Sequence, residues 1–71
     1  MKVITHKQMK SAFERVAGML HEDGETETRT VGEWLDVAAS RPTHFANSLS
    51  ALEILGLLGF GNETVQPRSL G

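Results

Sequence analysis

The sequence predicts a mainly α fold: three helices in one small domain, closed by a short C-terminal β-hairpin. Three observations predict it. Apolar residues recur at intervals of three and four in three separate stretches. Two capping boxes, Thr5 to Gln8 and Thr30 to Glu33, mark helix starts. Pro42 and the glycines between Gly56 and Gly61 set the remaining boundaries.

The first helix is expected over about residues 5–21. Thr5 caps it, and Ile4 and Met9 have the spacing of a hydrophobic staple. Met9, Ala12, Phe13, Val16, Ala17 and Leu20 form its apolar stripe, opposite Lys7, Lys10, Ser11, Glu14 and Arg15. The polar, glycine-bearing segment from His21 to Thr28 reads as a loop. Thr28 to Thr30 have room for a very short strand.

The second helix is expected over about 30–40, with Val31, Trp34, Leu35 and Ala38 facing inward. Trp34 shares that stripe and is therefore read as core rather than as an exposed partner anchor. Glu33 and Asp36 face outward, and a carboxylate near the start suits the positive end of the helix dipole. The helix must stop before Arg41, because proline disfavours helical geometry at the residue preceding it. Pro42 fits the first position of a third helix over about 42–55. Phe45, Leu49, Leu52 and Leu55 make its core stripe, and Gly56 stands where a C-terminal glycine would. LLGF and ETVQ are then expected to pair around Gly61 and Asn62, giving a hairpin over about 57–66. Pro67 and the tail RSLG are expected to fray.

Composition bounds the function classes. Seventy-one residues make one domain, residues 1–71, with a modest core. Hydrophobic content of 39% and charged content of 23% fit a globular chain rather than a disordered one. There are no cysteines, so neither a disulfide nor a thiolate metal site supports the fold, which agrees with a cytoplasmic location. No long apolar run follows Lys2, so neither a signal peptide nor a membrane span is expected. The net charge of −2 argues against strong non-specific affinity for nucleic acid. Its layout is dipolar: Lys2, Lys7, Lys10 and Arg15 precede Glu22, Asp23, Glu25 and Glu27.

Catalytic and metal chemistry find no foothold in the sequence. His6, His21 and His44 lack metal-ligand spacing. Ser48 and Ser50 have no positioned base, and Glu33 and Asp36 are explained by cap and surface roles. Gly59-Phe60-Gly61 carries no phosphate-loop pattern. No enzyme activity and no cofactor are expected.

A capped helix bearing Glu33, the Pro42-Thr43 turn, apolar Phe45, Leu49 and Leu52, and the ending Leu52-Glu53 followed by Gly56-Leu57-Leu58 stand in one register. From Thr30 to Leu58 the chain thus resembles a winged helix-turn-helix domain. The resemblance implies a small DNA-binding protein, a transcriptional regulator whose third helix lies toward the major groove of double-stranded DNA. Its outward positions are Thr43, His44, Ala46, Asn47, Ser50 and Ala51. Asn47 has the groups to read adenine, and Thr43, His44 and Ser50 can meet phosphates or base edges. Arg41 lies at the helix N-terminus, where the dipole attracts phosphate. Lys7 and Lys10 are expected to touch flanking phosphates; Glu63 in the wing would repel them.

The same residues also allow a protein–protein interaction module that does not bind DNA directly, since fold does not fix function. The weakly charged outer face of the third helix favours that version. So does the surplus of apolar residues in Ile54, Leu57, Leu58 and Phe60, which also raises a homodimer as an expectation.

Overall fold

The computed structural model describes residues 4–70. It contains α1 (His6–Glu22), β1 (Arg29–Thr30), α2 (Val31–Ser40), α3 (Leu49–Leu57) and β2 (Thr64–Val65). None of these helices is long and apolar enough to cross a membrane.

Both capping boxes form. Thr5 Oγ1 accepts from the Gln8 N–H at 3.1 Å, and Gln8 Oε1 accepts from the Thr5 N–H at 2.9 Å. Thr30 and Glu33 repeat the exchange at 3.1 and 2.9 Å. Each box satisfies donors that a helix N-terminus leaves without an intrahelical partner. At α2 the chain supplies two more acceptors: Val31 N–H donates to Glu63 O and Gly32 N–H to Gly61 O, both at 2.9 Å.

Helices α1 and α3 end alike. Gly24 has φ 89° and Gly59 φ 92°, a left-handed backbone that glycine adopts without Cβ strain. The Gly24 N–H donates to His21 O and that of Glu25 to Leu20 O; Gly59 to Gly56 O and Phe60 to Leu55 O complete the second copy. These are Schellman closures. The helix-ending glycine of α3 is therefore Gly59, not Gly56. Gly56 lies inside α3, where a Cβ would come 2.8 Å from Leu35 Cδ1. Its absent side chain lets α2 and α3 approach.

The two strands form an antiparallel pair that joins Arg29 to Val65 and Thr30 to Thr64. ETVQ supplies one strand as expected, but its partner is the short segment before α2. LLGF does not pair with it, because Leu57 completes α3 and Leu58 to Phe60 make the closing turn. Three helices with this two-stranded sheet are compatible with a winged-helix architecture.

The core collects Val16, Ala17 and Leu20 of α1, Val31, Trp34 and Ala38 of α2, Phe45, Leu52 and Leu55 from the third-helix stretch, and Val65. Trp34 is fully buried, 6.1 Å from the ring of Phe45. Phe60 packs edge-on against Phe13 at 5.7 Å. Through Leu70 the C-terminal segment, expected to fray, is tied to α1; Gly71 lies outside the described residues. Pro67 is buried, Arg68 N–H donates to Ala17 O at 3.1 Å, and Leu70 lies over Gly18, where a Cβ would meet its Cγ at 2.5 Å. Pairing of β2 aims the chain along α1, and Gly18 leaves the room for Leu70.

The largest difference from the sequence-based expectation is the third helix. Residues 42–48 run as successive turns, and α3 begins at Leu49 instead of Pro42.

Candidate functional site

Two features of the surface meet at the start of α3. The first is a cluster of side chains where the α1–β1 loop crosses the turns before α3. Asp23 caps the C-terminus of α1 and is only 8% exposed. Its Oδ1 accepts from Asn47 Nδ2 at 2.8 Å and from the Asn47 N–H at 3.3 Å. Its Oδ2 accepts from Ser48 Oγ at 2.6 Å, and Ser48 is fully buried. Buried carboxylates need such donors, and bonds to an ionised acceptor are the stronger kind. One turn further out, His44 Nε2 lies 2.7 Å from Glu25 Oε2, with its ring edge-on to Phe45 at 4.9 Å.

The second feature is an apolar groove of about 410 Å³ between α1 and α3. Met19, Ala51, Ile54 and Leu58 give it an apolar lining, while Arg15, Asn47 and Ser50 supply its polar groups. Arg15 is the one charged residue among those lining it. At the groove Ile54 of α3 is exposed to 57% and Leu58, just past the helix end, to 48%; Leu57, exposed to 89%, lines a separate hollow with Leu35, Glu53, Gly56 and Gly61.

The expected nucleic-acid contacts are thus distributed unevenly. Arg41 and Thr43 are exposed in the connection between α2 and α3. Ser50 is exposed on α3 and Asn47 on the turn before it, and both line the groove. His44 and Asn47 are engaged by Glu25 and Asp23 rather than standing free. Lys7 and Lys10 are exposed on α1; Lys10 shares a shallow hollow with His6, Glu14, Glu63 and Arg68, away from Arg41. The described part of α3 itself carries no lysine or arginine, and Glu53 is its sole charge.

Sequence reasoning singled out neither Asp23 nor Arg15. The expectation that Arg15 lies opposite the apolar stripe does not hold: three residues from Ala12 and four from Met19, it borders that stripe on the groove side. Asp23 had no local signal: the groups it binds lie 24 and 25 positions along the chain. No family model, no curated protein and no solved structure matches this chain.

Proposed function

We propose that this chain is a winged-helix-like interaction module that docks a partner protein on its α1–α3 face and does not bind DNA directly. The observation that carries this is the character of α3 and its C-cap: no cation, one glutamate, and Ile54 and Leu58 partly exposed along an apolar groove. Contiguous exposed apolar surface of this kind usually marks a contact site. The occupant that fits is an amphipathic helix, its apolar side chains laid in the groove in the helix-in-groove mode of recognition. Arg15 adds a charge criterion, so the helix should carry a carboxylate opposite it.

A DNA-binding transcriptional regulator is the second reading. It draws on exposed Arg41, Thr43 and Ser50, and on Arg15 beside Asn47 and Ser50 in one groove. It is weaker because Asn47 and His44 already hold carboxylates, and because a net charge of −2 gives little counterion release.

Titrating the isotope-labelled chain with two probes separates the readings. A synthetic amphipathic Leu/Glu peptide should shift the resonances of Met19, Ile54 and Leu58, and Leu58→Glu should abolish those shifts. Random-sequence duplex should leave the chain unshifted even at low salt. Duplex binding that collapses steeply with added salt, without any peptide response, reverses the order of the two readings.

A further inference from the structure

We infer that the loop after α1 is an acidic clasp that holds α3 short. The stretch from Pro42 to Ser48 is suited to a helix by sequence, with Pro42 at a favoured first position. Parts of the helical ladder already exist there. Phe45 N–H donates to Arg41 O at 3.1 Å, Leu49 N–H to Phe45 O at 2.9 Å and Leu52 N–H to Ser48 O at 3.0 Å.

The ladder is interrupted from Ala46 to Ser48: no backbone bond joins the Ala46 N–H to Pro42 O, and Asn47 and Ser48 are turned to other partners. A continuous helix would send the Asn47 N–H to the carbonyl of Thr43, four residues back. That N–H is instead directed at Asp23 Oδ1, 3.3 Å away. The Ser48 N–H reaches back three residues, to Phe45 O at 3.2 Å, and Ser48 has φ −105°, wide of the helical value. The same carboxylate takes Asn47 Nδ2 and Ser48 Oγ, while Glu25 holds His44. Asp23 is itself anchored, because the closure at Gly24 fixes the backbone beside it and its short side chain has little reach to spare.

Releasing these contacts frees the Asn47 N–H for Thr43 and lets α3 start at Pro42. Thr43, Asn47 and Ser50 then fall on one helical face at intervals of four and three. The clasp therefore sets whether these side chains are presented together. A ligand that prefers the long helix must overcome Asp23 and Glu25 to reach it. This device rests on backbone and side-chain bonds alone and is independent of what the α1–α3 groove binds.

The test compares Cα chemical shifts of the full chain with those of Asp23→Ala/Glu25→Ala. Residues 43–48 should move to helical values while the Trp34 indole N–H signal stays in place. Shifts that stay unchanged, or move toward coil with the indole signal retained, overturn the clasp. Should that variant lose the indole signal, Asp23→Asn decides by the same criterion, since it removes the charge and puts an NH2 donor where one of the two accepting oxygens stood. Partial movement of residues 43–48 toward helix supports the clasp; none overturns it.

Discussion

The indole N–H of Trp34 donates to the carbonyl oxygen of Val65 at 3.1 Å. The largest fully buried side chain of the described domain thus also fixes β2, a strand of only two residues. A two-residue strand has too few ladder bonds to hold itself, so a side-chain anchor 31 positions distant supplies the missing restraint. Arg29 of the partner strand stacks over the same indole at 5.2 Å and pairs with Glu27 at 3.0 Å. Both strands therefore lean on one tryptophan.

Trp34→Phe keeps an aromatic in the core and removes the donor. The Val65 carbonyl is left without that partner, which costs roughly 1–3 kcal/mol for a buried polar group. Urea unfolding followed by circular dichroism should show a lower midpoint and an unfolding free energy reduced by at least that amount, the smaller ring adding a cavity cost. Equal midpoints would mean that the bond contributes nothing net.

Ser48→Ala removes one donor from a buried carboxylate and should cost about 1–3 kcal/mol for the same physical reason. Ser50→Ala, two residues on and exposed, should change stability by no more than about 0.5 kcal/mol. The pair shares chemistry and differs in burial, so indistinguishable thermal melts would refute the role assigned to Asp23.

The carboxyl of Glu33 is held below the usual glutamate range. The Thr30 N–H that donates to it is the main cause, the Thr30 side chain adds to this, partial desolvation opposes it, and the Arg29 charge assists. A depressed folded value means stability that is present above the unfolded pKa and lost as pH falls through the folded one. The melting temperature of the native chain should exceed that of Glu33→Gln at neutral pH, and the two should converge in acid. A gap that persists unchanged into acid would contradict this assignment.

Legibility in the sequence followed the range of the interactions. The caps at Thr5 and Thr30 are exchanges over three residues, and both were readable. Trp34 was readable as core from its stripe with Val31 and Ala38. Gly56 and Gly59, three residues apart, satisfy the same local rule for the end of α3, and the closure falls at Gly59. Packing against Leu35 decides between them. Arg41, Thr43 and Ser50 are exposed as expected, but the engagement of His44 and Asn47 was invisible. Their partners sit on the loop after α1, and neither composition nor periodicity reports such a crossing.

Local chemistry alone thus determined how many helices this chain makes, where α1 and α2 start and which faces turn inward, because caps and stripes act within one or two turns of backbone. Tertiary structure alone decided that α3 starts at Leu49, that β2 pairs with Arg29 and Thr30, and that the C-terminal segment lies along α1. In each case the deciding partner is far along the chain: Asp23 for Asn47, Trp34 for Val65, Ala17 for Arg68. Residues so far apart meet only after the helices have packed, and a hydrogen bond directed at a distant buried carboxylate can outweigh the local preference for one more turn of helix.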